Sequence, residues 1–564
     1  MKTLLCAINS KFIHSSPAVY SLQASCRYFA GIYGAEPGEV EVAEFSVNDS
    51  ADSIVYGIVS ELPDVIGFSV YIWNVKIIGM LIADIRKMLP DSIIVLGGPE
   101  VSYGVDGKIF SEKNYDYIVS GEGEYSLYCL LAEIFASKNS SVFSASPEFC
   151  YRKSDDGVTV YADNCSLDGL PFIYNEDNLP KFENRIIYYE TSRGCPFNCA
   201  YCLSGAESKV RFLNIERVFK EIDFFNKNKV PQVKFVDRTF NCNPKRAKQI
   251  VKYISALEDC ETNFHFEVGA DLFDDEFIDI LSEVPCGRVQ IEAGIQSMQH
   301  DVLEACCRKT DVDKCFSNLK KIISMGNINV HTDLIAGLPF ETAGMFVDSF
   351  NKTYALRSHQ LQLGFLKLLK GAPLNGMLEE HSYMFSSNPP YEIISNKYIS
   401  HKEILRLKEV EDALDRFYNS GHYVLTLELI EKHFGTPFEL YRKLADRLIE
   451  LKMIFKPVSL RQGFDIMYSF AESFIRDGEE LKILKKIMLT DYFSSNKSDM
   501  PPDSLRDIWK PERSLSGRSG DIMKLCGIDD FRAHRLRIID DEIYIFDVSK
   551  ENPVTGRYSY KKVN

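Results

Sequence analysis

Three cysteines stand close together in the segment Glu190-Thr-Ser-Arg-Gly-Cys195-Pro-Phe-Asn-Cys199-Ala-Tyr-Cys202. Because thiolates are soft ligands, these three residues can surround one compact metal centre. A 4Fe–4S cluster is usually held by four cysteines, so a loop with three leaves one iron open to a small molecule. Structural zinc sites typically use paired CxxC units. The sequence has no second pair, which favours the cluster.

Apolar strand patterns alternate with helix patterns on both sides of this segment. An apolar run at residues 186–189 comes directly before the cysteines, and residues 185–370 contain six βα repeats. They predict a partial barrel, with its reactive residues at the carboxyl ends of the strands. Residues 1–140 predict a doubly wound parallel sheet, whose ligands also bind beyond the carboxyl ends of the strands.

The predicted fold class is therefore α/β, with a Rossmann-like N-terminal sheet domain followed by a partial (β/α)6 barrel. Residues 141–184 are rich in Ser, Asp, Gly and Pro and predict a connector. Residues 371–564 show helical periodicity over most of their length and predict a mainly α-helical C-terminal domain.

The CxxxCxxC spacing after a first strand resembles the signature of radical S-adenosylmethionine (SAM) enzymes. In that family the open iron binds the amino and carboxylate groups of the methionine moiety. Reductive cleavage of SAM then gives a 5′-deoxyadenosyl radical. The resemblance implies an enzyme with a 4Fe–4S cluster on Cys195, Cys199 and Cys202 and with SAM as a second cofactor.

The resemblance also implies where SAM binds. Residues 237–239 stand where the family places groups that hold the methionine amino group, although the usual Gly-Gly-Glu is absent. Residues 335–339 resemble the Ile-x-Gly-Leu-Pro element that borders adenine in the family, and Arg308 is a candidate for the methionine carboxylate. The implied SAM-binding residues are Tyr201, Asp237, Arg238, Thr239, Glu267, Glu292, Gln296, Arg308, Ile335, Gly337, Leu338 and Pro339.

Glycine-rich turns follow three predicted strands of the N-terminal sheet, at residues 67–74, 97–102 and 121–124. Glycine lets the backbone approach a flat ligand, and aromatic residues there provide an amphipathic rim. With the cysteine loop downstream, these turns are similar to the cobalamin-binding domain that precedes the barrel in one radical SAM subclass. The implied cobalamin-binding residues are Ser69, Tyr71, Trp73, Gly97, Gly98, Pro99, Glu100, Val101, Gly121, Gly123 and Glu124.

The lower face of the cobalt is expected to lack a histidine ligand, because no Asp-x-His-x-x-Gly motif occurs. The resemblance then implies base-off cobalamin, with loop residues or water below the ring. His14 lies in the first βα loop, and we interpret it as a polar loop residue rather than a cobalt ligand.

Composition limits the partners. A net charge of −15 disfavours an extended nucleic-acid surface, which needs clustered Lys and Arg. No signal peptide and no run of about 18 apolar residues is found, so a cytoplasmic protein without a membrane span is expected. Fifteen cysteines then indicate free thiols and metal ligands, in keeping with an anaerobic cytoplasm. The family resemblance implies a small-molecule or peptide substrate and an electron donor of the flavodoxin or ferredoxin type.

The leading functional hypothesis is a cobalamin-dependent radical SAM methyltransferase that acts on an unactivated carbon. Methylcobalamin would supply the methyl group, and a second SAM would remethylate the reduced cobalt. One alternative keeps both cofactors but couples them to rearrangement or cyclisation. Sulfur insertion into RNA is disfavoured because that chemistry usually needs another cysteine-rich site. A cobalamin or redox sensor is the non-enzymatic alternative. The tail resembles a domain of unknown function in a bacterial group and identifies no substrate.

Overall fold

The computed structural model describes residues 1–139, 143, 151–206, 209–515, 519–528 and 530–563. The chain forms two compact units. The first consists of Met1–Val268, Cys306–Arg308 and Leu366–Ile394, and the second of Gly269–Ala305, Lys309–Phe365 and Ser395–Asn564. The predicted domain limits at 140, 184 and 370 stay a prediction, and part of the connector lies outside the described residues.

The first unit opens with strands that alternate with helices. These are β1 (Lys2–Asn9), α1 (Pro17–Tyr33), β2 (Glu39–Ser46), α2 (Ala51–Val59), β3 (Val65–Ser69), α3 (Val75–Met88), β4 (Ile93–Gly97), α4 (Pro99–Ser102), β5 (Tyr117–Val119), α5 (Gly123–Lys138), β6 (Arg152–Lys153) and β7 (Thr159–Tyr161).

These strands form one sheet in the order β2-β1-β3-β4-β5-β7-β6, and only β6 runs antiparallel to its neighbour. Strands β1 and β3 are buried along almost their whole length, as parallel strands covered on both faces should be. Helix α1 packs against α5, and α2 packs against α3. The prediction of a doubly wound parallel sheet is confirmed.

A second group of parallel strands follows in the first unit. The elements are β8 (Ile187–Tyr189), β9 (Ser192–Arg193), β10 (Arg211–Phe212), α6 (Ile215–Lys227), β11 (Gln232–Phe235), α7 (Pro244–Ala256) and β12 (Asn263–Val268). Strand β11 lies between β8 and β12 and is parallel to both. Asn214 and Asn243 define the helix starts, because their side chains accept hydrogen bonds from the first turns of α6 and α7.

The second unit continues the alternation of strands and helices. Its elements are α8 (Asp275–Ser282), β13 (Val289–Gln296), α9 (His300–Ala305), α10 (Val312–Met325), β14 (Asn329–Ala336), α11 (Ala343–Tyr354) and β15 (Gln360–Phe365). Strand β14 lies between β13 and β15 and is parallel to both. Every second residue of β13 and β14 is buried, so each strand has one apolar face and one partly open polar face.

Most residues of the remaining helices and strands are helical, as predicted for the C-terminal part. They are β16 (Met384–Phe385), β17 (Ile393–Ser395), α12 (His401–Leu414), α13 (Val424–Ile430), α14 (Pro437–Glu450), α15 (Leu460–Glu472), α16 (Gly478–Ser494), β18 (Trp509–Lys510), α17 (Ser519–Leu525), β19 (His534–Ile539), β20 (Glu542–Asp547) and β21 (Ser559–Val563). Strands β18 to β21 form an antiparallel sheet. Within the described ranges, none of the helices has the length and apolar character that a membrane crossing requires.

Candidate functional site

The three clustered cysteines lie on a loop that a short antiparallel ribbon closes. Strand β9 pairs with β10, so that Ser192 faces Phe212 and Arg193 faces Arg211. Gly194 follows β9 with φ +98°, and a Cβ atom there would lie 2.5 Å from the main-chain oxygen of Lys209. Only glycine fits this close approach, so the ribbon fixes where the cysteine loop begins.

The thiols lie in a polar but largely buried environment. Cys195 and Cys199 are buried and Cys202 is half-buried. The Sγ atom of Cys195 lies 3.6 Å from Thr239 Oγ1, and Arg308 Nη1 lies 3.8 Å from Cys199 Sγ. Burial raises the pKa of the Cys199 thiol, and the Arg308 guanidinium opposes that rise. Three soft donors on one loop, with a cation beside them, fit an iron–sulfur cluster.

Two further predicted SAM-binding residues meet at this loop. Arg308 Nη1 donates a hydrogen bond to Tyr201 Oη at 3.3 Å. The segment that carries Arg308 is held to the loop by the bond from Ala200 N to Cys306 O at 2.8 Å. Arg308 and Tyr201 are therefore both brought to the thiols, although they are far apart in the sequence.

Asp237 anchors the chain just before the cysteines. Its Oδ1 accepts hydrogen bonds from Thr191 N at 2.7 Å and Ser192 N at 3.0 Å, and its Oδ2 accepts one from Thr191 Oγ1 at 2.5 Å. Burial raises the pKa of this carboxyl to about 6. Its neighbours Arg238 and Thr239 are exposed and half-buried. The predicted contact of residues 237–239 with SAM stays a prediction.

An ionic network joins the cysteine loop to the N-terminal sheet. Arg193 contacts Glu122 at 3.0 Å, Glu124 at 2.8 Å and Glu190 at 2.7 Å. Arg211, opposite Arg193 on the ribbon, also pairs with Glu122. Burial acts against ionisation of Glu124, but the Arg193 guanidinium holds the pKa of this carboxyl below its ordinary value. The turn after β5 and the start of the cysteine loop are thus fixed to each other.

The aromatic rim predicted after β3 is present. The rings of Tyr71 and Trp73 stack with centroids 4.4 Å apart and an interplanar angle of 5°. Trp73 donates from Nε1 to Ile8 O at 3.1 Å, yet it remains 47% exposed. This contact ties the turn after β3 to the end of β1, which is where the strand order of the sheet reverses. Ligands of doubly wound sheets bind at such a point.

Of the other predicted cobalamin-binding residues, Ser69 ends β3, Gly97 ends β4, and the rest follow β4 or β5. Gly98 has φ +106°, and a Cβ atom there would lie 2.6 Å from Val70 O, so the turns after β3 and β4 touch through their backbones. Gly121 has φ +73° and would have no atom within 4 Å of a Cβ. Val101 packs into the apolar core of the sheet, and Glu124 is paired with Arg193. A half-exposed flat aromatic pair and close glycine turns fit a planar ring such as a corrin.

The strand-end residues of the barrel are divided between the two units. In the first unit, Glu267 on β12 lies 3.8 Å from Lys234 Nζ. In the second unit, Gln296 ends β13 with φ +69° at a bulge. Its Oε1 is buried and has no hydrogen-bond partner in the part of the chain that the structure describes. An unpartnered amide oxygen at a strand end is available to a ligand.

Glu292, a predicted SAM-binding residue, belongs to a polar cluster in the second unit that the sequence did not reveal as a group. Glu292 on β13 faces His331 on β14, and the ligand atoms of these residues and Asp333 lie within 4.8 Å of one another. His331 Nε2 lies 2.9 Å from Asp333 Oδ1. The period-2 pattern of β14 was the available signal, because it places residues 331, 333 and 335 on one face. Past this strand, Gly337 O accepts a hydrogen bond from Asn396, while Leu338 and Pro339 are buried.

His14 completes the residues considered from the sequence, and Cys306 and Cys307 directly precede Arg308. His14 Nδ1 lies 2.5 Å from Tyr188 Oη, and burial lowers the pKa of the imidazole. Cys306 is buried, and Cys307 is exposed with φ +54°.

Three family models match consecutive parts of the chain. They are the B12 binding domain at residues 5–131, the Radical SAM superfamily at residues 189–352, and a protein family of unknown function, DUF4080, at residues 379–516. The chain combines a B12 binding domain with a radical SAM domain. The resemblance seen in the cysteine spacing and the glycine turns is confirmed, as is the order of sheet domain, radical SAM barrel and C-terminal domain of unknown function.

Two curated relatives match more than half of the residues of this chain. It is 27% identical over 353 residues to the cobalamin-dependent radical SAM methyltransferase TokK of Streptomyces tokunonensis, a match of 58% of this chain and 50% of that protein. It is 26% identical to 2-(S-pantetheinyl)-carbapenam-3-carboxylate methyltransferase of Streptantibioticus cattleyicolor, over 56% of this chain and 48% of that protein. The chain therefore spans about half the length of these relatives.

Two solved structures have a fold similar to that of this chain. The apo form of the cobalamin-dependent S-adenosylmethionine radical enzyme OxsB matches 90% of the chain and 82% of its own length, with a TM-score of 0.58 and 15% identity. The radical SAM methyltransferase TsrM of Kitasatospora setae, with cobalamin and its cluster bound, matches 68% of the chain and 76% of its own length, with a TM-score of 0.53 and 17% identity.

Proposed function

We propose that this chain is a cobalamin-dependent radical SAM enzyme that methylates an unactivated carbon of a small molecule or peptide. One observation carries the proposal. Arg193 joins the cysteine loop to the turn after β5, so one compact unit holds the loop suited to a cluster and the turns suited to a corrin. Curated relatives that match more than half of this chain are methyltransferases, which favours methyl transfer over rearrangement.

In this proposal, Cys195, Cys199 and Cys202 hold a 4Fe–4S cluster, and the turns after β3, β4 and β5 hold cobalamin. Together with SAM, the bound cofactors supply a hydrogen-abstracting radical and a transferable methyl group. The protein positions them and excludes water. Trp73, stacked on Tyr71, would contact the corrin. Within the first unit, Arg308 beside the cysteine loop and Glu267 on β12 bind SAM.

Residues around the cysteine loop then have positioning roles. Asp237 fixes the backbone at Thr191 and Ser192, ahead of the first thiol. Arg308 places a positive charge beside Cys199, where it stabilises a thiolate ligand and can bind the methionine carboxylate. An electron donor of the flavodoxin or ferredoxin type would deliver one electron to the cluster.

Anaerobic reconstitution of the full chain with iron, sulfide and hydroxocobalamin tests both cofactor sites. We expect four irons and one corrin per wild-type chain, and the corrin alone in a Cys195→Ala/Cys199→Ala/Cys202→Ala variant. The exposed Cys286 provides the control, because Cys286→Ala should keep both cofactors. Corrin bound without any cluster in the wild type would contradict the radical mechanism, and a cluster without corrin would contradict the cobalamin mechanism.

The methyl-transfer step is tested without knowing the substrate. The reconstituted chain is mixed with SAM and a strong chemical reductant, and the products are separated by chromatography. Methylcobalamin and S-adenosylhomocysteine are expected as the reduced corrin is methylated, and 5′-deoxyadenosine as SAM is cleaved. If 5′-deoxyadenosine forms and S-adenosylhomocysteine never does, methyl transfer is excluded.

A further inference from the structure

A polar group of three side chains lies beside the turn after β4 in the first unit. Glu100, in α4, is only 3% exposed. Lys370 Nζ donates to the main-chain oxygen of Glu100 at 3.1 Å and lies 3.7 Å from its Oε2. Tyr391 belongs to the same group, because the backbone of Leu368 donates to Tyr391 O at 3.0 Å and so places it next to the Lys370 segment.

Two polar atoms of this group are buried and make no hydrogen bond within the described residues. Glu100 Oε2 and Tyr391 Oη have no hydrogen bond to any residue in the described parts of the chain. Burial, followed by the charges of Glu100 and Asp106, raises the pKa of Tyr391 to about 12, so the phenol stays protonated and can donate. Buried polar groups are normally satisfied, because a lone donor or acceptor is destabilising.

The chemistry of the missing partner follows from this arrangement. Glu100 Oε2 can only accept a hydrogen bond when it is ionised, whereas Tyr391 Oη and Lys370 Nζ can donate. A primary carboxamide can bond to both kinds of group, since its NH₂ group donates to Glu100 and its oxygen accepts from Tyr391 or Lys370. A carboxylate ligand would be repelled by Glu100, and an apolar ligand would leave both atoms unsatisfied.

We propose that Glu100, Lys370 and Tyr391 bind one primary carboxamide at the edge of the corrin ring, an inference that rests on the cobalamin binding proposed above. Glu100 lies in the turn predicted to contact the corrin, and the corrin periphery carries several such carboxamides. The segment with Lys370 also reaches the cysteine loop, because Leu374 N donates to Ala200 O at 2.8 Å. Binding the ring edge here would therefore position the corrin relative to the loop that carries Cys199 and Cys202.

The test uses the full chain with its cluster and compares cobalamin with its monocarboxylic acid isomers, in which one peripheral carboxamide is hydrolysed. Affinities are measured by equilibrium dialysis, so no turnover is needed. For one isomer, we expect binding to wild type about tenfold weaker than that of cobalamin. Glu100→Gln should remove this difference, because a neutral amide does not repel the carboxylate. Tyr391→Phe should weaken cobalamin binding about tenfold.

Matched controls are Glu112→Gln and Tyr56→Phe, which change exposed residues of the same sheet domain. An unchanged iron content in each variant shows that the first unit is folded. The inference is overturned if wild type binds every isomer as tightly as cobalamin, or if Glu100→Gln discriminates among them as wild type does. If wild type binds no corrin at all, the proposed function itself fails, and this inference fails with it.

Discussion

Burial controls the ionisation of Glu341, which follows the turn after β14. Its Oε1 accepts a hydrogen bond from Ser297 Oγ at 2.7 Å, whereas its Oε2 has no partner within the described residues. Burial raises the pKa of this carboxyl from 4.5 to about 8, because the charged form loses its hydration. The pKa of Glu341 is higher in the folded protein than in the unfolded chain. The contribution of the protonated carboxyl to the folding free energy is therefore complete below pH 4.5 and is lost as the pH rises through about 8.

Glu341→Gln should therefore stabilise the protein in a pH-dependent way. The amide keeps the size of the side chain and cannot ionise. We expect the variant and wild type to melt at similar temperatures near pH 5, and the variant to gain on the order of 4 kcal/mol near pH 9. Thermal unfolding of the apoprotein at both pH values measures this. Glu304→Gln, at an exposed side chain, is the control. An equal effect of Glu341→Gln at both pH values would show that burial does not determine this pKa.

Among single residues, the sequence alone identified those whose common role is visible from their spacing along the chain. The thiols of Cys195, Cys199 and Cys202 lie within eight residues, so their common role was visible. Arg193 was not identified, although it stands two residues before Cys195, because its partner Glu124 is 69 residues away. Lys370 and Glu100 are separated by 270 residues. Such pairs depend on how elements pack, which one sequence without its fold does not show.

At the scale of elements, the β9–β10 ribbon is held by the ion pairs of Arg193 and Arg211. Arg193→Met would leave Glu122, Glu124 and Glu190 without their shared cation. Removing one partner from a buried ion pair is destabilising by about 3–5 kcal/mol. We expect a lower melting temperature and fewer irons per chain after reconstitution, because the ribbon closes the cysteine loop.

Two further variants test whether the positive charge of Arg193 alone is sufficient and whether the effect is specific to this ribbon. Arg193→Lys should recover only part of the loss, since an ammonium lacks the planar fork that reaches several carboxylates. Arg152→Met removes an exposed pair with Asp163 and should change neither measurement. Full iron content in Arg193→Met would show that the ribbon forms without the network.

Elements with a clear periodicity were predicted closely, whereas those that form only by pairing were missed. Helix α3 is an example of the first kind, because its apolar residues recur at a helical spacing that is visible in the sequence. The two-residue strands β9 and β10 were not predicted, since each exists only through its pairing with the other. Strand β21 was also missed. Its sequence, Ser-Tyr-Lys-Lys-Val, has no apolar alternation, and it is a strand because β20 pairs with it.

At the scale of the whole molecule, residues 553–557 connect distant parts of the second unit. The segment before β21 contacts residues far away in sequence, since Asn329 Nδ2 donates to Val554 O at 2.8 Å and Pro553 packs on Gly287. Arg557 pairs with Asp491 of α16 at 2.6 Å. The Asp491 side chain is fully buried and also accepts hydrogen bonds from Thr426, which lies in α13. Asp491 thus joins α16 to α13, and Arg557 neutralises its buried charge.

Arg557→Met should be strongly destabilising, because it leaves the buried charge of Asp491 without its cation. We expect a loss of about 3–5 kcal/mol, measured by thermal unfolding. In Asp491→Asn/Arg557→Met the neutral amide needs no cation but still accepts a hydrogen bond from Thr426. The double variant should therefore be more stable than Arg557→Met alone. Lys510→Met, which breaks an exposed pair with Asp541, should have little effect. If the double variant is the less stable of the two, hydrogen bonding rather than the buried charge governs this contact.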